Sequence, residues 1–527
     1  MNRNNFPGKI KAIIILLFFP FLSFAQKANW QNLDLKTDTV FGISTERAYK
    51  ELLKGKKPTP VIVAVIDGGV DVNHEDLKRV LWTNKGEKAG NGIDDDNNGY
   101  KDDVQGWNFL GSAKGSVEFE ALELTRIIRK DQKKFSNVAD VAKEDEPALL
   151  AYRQLRAAYD KKVAEAKENL ANMEGFKYVL NHMVSKIAKP EPTAADFQQY
   201  KPANEMESRM QSIMADILKE QSFKAFYEDE IVKGIKHYSD ELKYNLNLDY
   251  DPRPALVGDD INNGLEKIYG NADVKGPDAS HGTHVAGIIA ADRTNNIGVK
   301  GVADAALIMG VRAVPTGDER DKDVANAIRY ATDNGAKVIN MSFGKSYSRE
   351  KQLVDDAVKY AMSKDVLIVQ AAGNDNENID SAKNFPDRRY LSGGAAEAYI
   401  VVGASGWQDD ETLKASFSNY GKTTVDVFAP GEKINSSVPD NNAYEKNSGT
   451  SMASPVVAGL ATLIRAYYPK LKATQVKEII LKSVVKVNHP VNLMINDEPV
   501  SKPFSDLCVT GGIVNAYESL KLAAQYR

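Results

Sequence analysis

VIVAVIDGG, residues 61–69, decides the fold. Val61 to Ile66 are all aliphatic and mostly β-branched, with no polar residue at alternate positions. A strand with one wet face would alternate, so the unbroken run predicts a strand covered on both sides, as in a parallel sheet. Asp67 closes the run and Gly68 and Gly69 follow, which puts a carboxylate at the strand's C-terminal tip. Four later runs share this character: LIMGVRAV (307–314), KVINMSF (337–343), VLIVQAAG (366–373) and YIVVGAS (399–405). Residues 321–334 and 349–363, between the first three, carry apolar positions at helical spacing. Strands alternating with helices predict an α/β fold: a doubly wound, mostly parallel sheet with its binding loops at the strands' C-terminal ends.

Residues 116–257 break that pattern. Their only glycines are Gly175 and Gly234, and segments such as PALLAYRQLRAAYDKKVAEAKENLANM place apolar residues three and four apart with charges between. This predicts three to five amphipathic helices. The block reads as a large helical insertion that divides the sheet domain into residues 61–115 and 258–527. Residues 26–60 form a lead-in with one helix expected near Thr45–Lys54, ended by Pro58 and Pro60.

The first residues read MNRNNFPGKIKAIIILLFFPFLSFAQ. Arg3, Lys9 and Lys11 precede an apolar run over 12–22, and Ser23 and Ala25 stand at the small-residue positions of a cleavage site. The pattern is that of a signal peptide over residues 1–25, with an uncleaved anchor as the alternative. Export to a periplasm or beyond the cell follows, and no later stretch reads as a membrane span. A net charge of −4 is too mild to point to nucleic acid as a partner. The single cysteine, Cys508, cannot form an internal disulfide and reads as a small buried hydrophobe rather than a nucleophile.

Among six histidines, two stand apart, His281 and His284 in DASHGTHVAGIIA (278–290). The small residues around them suit close approach of another chain segment. The pair shares a helical face, but no HExxH pattern supports zinc. His182 and His237 lie on the charged helical block and His489 precedes a proline, positions that suit solvated surface and loop. In NSGTSMASPVVAGLATLI (447–464), Ser451 opens an apolar helix, where unpaired N–H groups could stabilise an oxyanion. Taken singly, Ser451 could be a helix cap and Asp67 a turn residue.

Together, VIVAVIDGGVDVNHEDL, HGTHVAGIIA and GTSMASPVVAGL resemble the three signature blocks of the subtilisin-like serine peptidases, in the order Asp, His, Ser. The resemblance covers residues 61–110 and 255–525. It implies a triad of Asp67, His281 and Ser451, with His284 structural. It also implies that Asn374 of VLIVQAAGNDNEN donates to the oxyanion together with the Ser451 backbone N–H. Ser342, Phe343 and Gly344, with Ala372 and Gly373, resemble the family's substrate-binding edge. The implied activity is endopeptidase cleavage of proteins or peptides through an acyl-enzyme. An exopeptidase with the same triad and a non-catalytic binding protein are the alternatives. The chain departs from the family's usual plan in its long Asp-to-His gap, in the short segment before the Asp strand, and in a tail that leaves no room for a C-terminal module.

GNGIDDDNNGYKDD, residues 90–103, is dense in oxygen ligands. Asp94, Asp96, Asn98 and the Tyr100 carbonyl fall at positions 1, 3, 5 and 7 of a calcium loop, with Gly99 at the sixth. Gln105 stands where an EF-hand has Glu, so Asp102 or Asp103 would supply the remaining carboxylate. Hard oxygen donors make calcium the expected cofactor, in a structural role; a solvated acidic turn is the alternative. The similar stretch VGDDINN (257–263) reads as a loop.

Overall fold

The computed structural model describes residues 26–135, 143–495 and 498–526. The signal-peptide segment lies outside the described residues. The nine strands of the central sheet are β1 (Val61–Asp67), β2 (Gly106–Asn108), β3 (Ala306–Arg312), β4 (Val338–Met341), β5 (Leu367–Ala371), β6 (Tyr399–Ser405), β7 (Val427–Pro430), β8 (Val485–Lys486) and β9 (Gly512–Ile513). Their order across the sheet is β8-β9-β7-β6-β5-β4-β1-β3-β2. All neighbours are parallel except β8 and β9 at one edge. The chain builds β2 and β3 on one side of β1, then crosses to build β4 through β7 on the other. The tip of β1 therefore lies at the point where the winding reverses, the usual place for a site in an open α/β sheet.

The unbroken aliphatic run of β1 is explained by what covers it. Val63 and Val65 join a core formed with the helices Ser280–Ala290 and Thr450–Tyr467. Ala64 and Ile66 face the opposite core, with Asp321–Asp333 and Lys351–Ser363. Each buried aliphatic side chain contributes about 1.5–3 kcal/mol relative to exposure, so a polar residue on either face of β1 would be costly. The expected strands are present to within a residue or two at their ends. Strands β2, β8 and β9, and the antiparallel pairs Ile434–Val438 with Ala443–Asn447 and Pro490–Ile495 with Glu498–Pro503, were not expected, nor was the short buried strand β7.

The lead-in wraps onto this body. Its helix, Thr45–Ala48, continues as a π-helical turn over Tyr49–Leu53. Trp30 is buried edge-to-face on Trp407, and Ile43 accepts the Ala516 N–H at the C-terminal helix. The insertion is helical as predicted: Glu123–Asp131, the 42-residue helix Glu146–Ile187, Ala194–Gln199, Glu205–Ile217 and a helical run from Phe223 to Asn245. It has two small cores of its own. One gathers Leu180, Met183, Phe197, Met210, Met214 and Phe226, and the other Leu124, Ile128, Tyr159 and Leu246. No described helix is long and apolar enough to cross a membrane.

Candidate active site

Parallel pairing on both flanks fixes the tip of β1. Asp67 lies opposite Arg312 of β3, while the ladder to β4 ends at Ile66 opposite Met341. The Asp67 carboxylate is buried, accepts the Gly68 N–H at 2.7 Å, and lies 2.8 Å from His281 Nδ1 through the same oxygen. His281 stands in the first turn of the helix Ser280–Ala290, with its ring about half exposed to the cleft. That helix can approach β1 only because Gly282 follows. A Cβ there would lie 2.1 Å from the Gly69 carbonyl oxygen and 3.0 Å from Asp67 Cβ. Desolvation of the His281 ring opposes protonation, but the Asp67 charge and hydrogen bond outweigh it and raise the imidazole pKa above its ordinary 6.5. His284, one turn on, is buried and faces the carbonyls of Ile434 and Glu445, both at 3.0 Å. Burial pushes its pKa down to about 4, so it stays neutral and structural.

Ser451 is the second residue of the helix Thr450–Tyr467. Pro455 lies within that helix and lacks the N–H that would bond the Ser451 carbonyl. The freed carbonyl instead accepts Ser342 Oγ at 2.9 Å. Ser342 Oγ in turn accepts Asn340 Nδ2 at 2.9 Å, and Asn340 Oδ1 accepts Ser454 Oγ at 2.8 Å. A buried polar chain thus ties the C-terminal end of β4 to the serine-bearing turn. Pro455 was the one sequence signal for it; Asn340 itself was not anticipated. Ser451 Oγ donates to the Ser342 carbonyl at 3.0 Å rather than to His281, so the Asp–His pair is formed and the hydroxyl is turned aside. Hydrogen bonds within enzyme sites often tighten only around a substrate.

Asn374 faces this turn. Its Oδ1 accepts both the N–H and the hydroxyl of Thr450, at 2.8 and 3.0 Å, which orients the amide and leaves Nδ2 without a partner among the described residues. Thr450 Oγ1 also accepts the Gly373 N–H at 3.1 Å. Asn419 braces the same loop, donating to the Ala372 carbonyl and accepting the N–H groups of Asp375 and Glu377. Thr450 and Asn419 escaped sequence reasoning because they act on the backbone of another segment. Ser342, Phe343, Gly344, Gly373, Asn374 and Ser451 line a cavity of about 320 Å³. Ala372, by contrast, is fully buried behind the loop. A second hollow, of about 200 Å³, adjoins Asp67, His281 and Ser342. Gly344 lies past the end of β4, and its backbone N–H and C=O take no partner among the described residues. The edge is open to pairing with an extended chain.

An Asp–His pair at a winding reversal, a serine at a helix start and an oriented amide opposite it are one arrangement, and the comparisons agree on its origin. The Subtilase family model matches residues 59–498. The chain belongs to the subtilase family. Curated relatives include a thermophilic serine proteinase of Bacillus sp. strain AK1, 45% identical over 35% of this chain and 42% of that protein. Thermitase of Thermoactinomyces vulgaris is 42% identical over 35% of this chain and 60% of its own length. The cell wall-associated protease of Bacillus subtilis strain 168 is 43% identical over 39% and 21%. The matches thus span less than two thirds of each of these relatives.

The acidic loop folds around a residue not anticipated as a ligand, Glu87. Glu87, Asp96 and Asp103 bring carboxylate oxygens within 4.8 Å of one another. Glu87 also accepts the N–H groups of Asp95, Asp96 and Asp102. Asp103 is fully buried; burial raises its pKa to about 6 against hydrogen bonds from Tyr330, Asn84 and Asn98. Asp94 is turned to the N–H groups of Asn98 and Gly99, and Asp102 to those of Asn91 and Gly92. Asn98 accepts the Tyr100 N–H and donates to Asp96 and Asp103, while the Tyr100 ring packs on Trp107 and Tyr330. Cys508 is buried and free.

Proposed function

We propose that this subtilase is an exported serine endopeptidase that cleaves proteins through an acyl-enzyme. The observation that carries the reading is the 2.8 Å contact of Asp67 with His281 beside the start of the Ser451 helix and the oriented amide of Asn374. In this mechanism Asp67 holds the His281 tautomer with Nδ1–H toward the carboxylate. His281 takes the Ser451 proton as Oγ attacks the scissile carbonyl, then gives it to the leaving amine. Asn374 Nδ2 and the Ser451 N–H stabilise the oxyanion. Water then hydrolyses the ester by the same proton route in reverse. The unpaired backbone of Gly344 favours an endopeptidase, because an extended substrate can add there as a strand and continue past the cleft in both directions.

Purified enzyme incubated with a denatured protein mixture tests this. Internal cleavage is expected, with labelling of Ser451 by a fluorophosphonate and no labelling of Ser451→Ala. Release of terminal residues alone would favour the exopeptidase, and a folded wild type that refuses the label would leave a binding protein. We also propose that Glu87, Asp96 and Asp103 hold a structural calcium ion. Their carboxylate oxygens are hard donors and lie within 4.8 Å of one another, a grouping that Asp94 and Asp102 do not join. Chelation should then lower the melting temperature, with recovery on adding calcium; an unchanged melting temperature would leave the loop a self-satisfied turn.

A further inference from the structure

Glu319 lines the same 320 Å³ cavity as Ser451 and Asn374. The residue is 2% exposed, yet its Oε1 has no hydrogen-bond partner among the described residues. Its backbone carbonyl, by contrast, accepts Lys345 Nζ at 2.7 Å and Arg126 at 3.1 Å. A buried carboxyl oxygen without a donor is costly, and proteins keep such groups where a ligand completes them.

The surrounding charges show what is missing. Within its own loop stand Asp318, Arg320 and Asp321; the helix Glu123–Asp131 adds Glu123 and Arg126; Lys345 comes from the far side. Each cation is already engaged. Arg126 pairs with Glu123, Arg320 with Glu120 at 3.0 Å, and Lys345 with Asp321 at 3.0 Å. Asp318 accepts the Glu123 N–H at 2.7 Å. Across the cavity the rim carries Asp375 and Glu377 against Lys383, and Lys383 makes no ion pair with Glu319 among the described residues. Acidic groups outnumber cations in this wall, and Glu319 forms no ion pair among the described residues.

We propose that Glu319 is a specificity-determining residue of the cleft, its carboxyl taking up the charged end of a lysine or arginine side chain of the bound peptide. The inference rests on the peptidase reading above and names the substrate class of that site. Burial first raises the Glu319 pKa, the Lys345 charge opposes the rise, and Asp318 and Asp321 add to it, leaving the value at about 8. The empty cleft therefore holds a neutral carboxyl, which releases its proton to solvent as the cation enters.

Cleavage-site profiling of wild type and Glu319→Gln tests it, with active enzyme counted by fluorophosphonate label. Wild type should enrich lysine or arginine about tenfold or more over glutamine at one fixed position relative to the scissile bond, and Glu319→Gln should abolish that enrichment. Labelled, cleaving wild type without basic enrichment would overturn the proposal, as would enrichment that survives in the variant. Wild type that neither labels nor cleaves would instead overturn the peptidase reading. Should the variant not fold, wild type alone decides. The kcat/KM ratio of an arginine peptide to its glutamine twin should rise about tenfold or more between roughly pH 6 and 8, because His281 affects both substrates equally. A flat ratio refutes the assignment.

Discussion

Leu180 and Ile289 are equally inaccessible to solvent, yet their surroundings differ. Ile289 belongs to a cluster that runs from the lead-in through β1, β4, β5 and β6 to the C-terminal helix. Leu180 belongs to a pocket of buried residues contributed by the insertion alone. The 42-residue helix that carries Leu180 buries only Leu149, Tyr159, Ala166, Leu180 and Met183. Where the insertion meets the sheet body, buried charge pairs stand beside apolar contacts such as those of Val117 and Val257. Arg253 is held by Asp259 and Asp323 at 2.7 Å, and Lys322 by Asp259 and Glu266 at 2.7 Å, all near the loop that forms one wall of the cleft. Such buried pairs add little net stability but fix geometry, since each charge left alone would be costly. The body's apolar core carries the elements that bear Asp67, His281 and Ser451, and the insertion reaches the cleft wall through hydrogen bonds from Arg126.

The largest expected effect lies wholly within the body. Asp67→Asn should lower kcat by about four orders of magnitude while the protein stays folded, because the tautomer of His281 is no longer enforced. The pH profile adds a sign. The base must be neutral, so activity falls as pH drops through its pKa, and Asp67 raises that pKa above the ordinary value. Without the charge, desolvation dominates, and the acid limb of the residual kcat/KM should move to lower pH. A limb that stays in place would show that Asp67 does not set the charge of the base. Asn374→Ala comes next, at about 10²- to 10³-fold in kcat with KM little changed, as for the loss of one oxyanion donor. A loss confined to KM would assign Asn374 to binding.

Asp67, His281, Asn374 and Ser451 were singled out because the blocks that hold them resemble a known family; taken singly, Asp67 reads as a turn residue and Ser451 as a helix cap. β1 could be read from its unbroken aliphatic run, since both faces are covered by helices. The support was not legible. Asn340, Thr450 and Asn419 look like ordinary polar residues, and only the fold brings them to the Ser451 turn. Glu87 lies outside the acidic run, and chain reversal alone brings it to Asp96 and Asp103. Glu319 reads as one charge in GDERDKD, and its isolation becomes visible only when its neighbours are seen to be paired elsewhere.

Core substitutions sharpen the contrast between the regions. Leu180→Ala and Ile289→Ala should each cost about 2–5 kcal/mol, the usual range for emptying a buried site. The consequences should differ in extent. Ile289→Ala should lower the main melting transition, whereas Leu180→Ala should open residues 146–245 to proteolysis and hydrogen exchange first, with peptide turnover retained. Loss of turnover in step with protection of the insertion would show that the two regions unfold as one unit.

The smallest effect tests whether the insertion's surface charges matter. Lys161 and Glu165 are 3.5 Å apart, one helical turn from each other, with 76% and 54% of their side chains exposed. The lysine precedes the glutamate, the weaker order along a helix, because each charge then opposes the local peptide dipoles. Lys161→Ala should therefore change stability by no more than about 0.5 kcal/mol, and less as salt is added. Alanine's higher helix propensity pushes the same way, so a slight gain is compatible with the argument. A loss above about 1 kcal/mol would mean that exposed pairs along the 42-residue helix act as a network, and that the insertion is held by charge along its length as well as at its root.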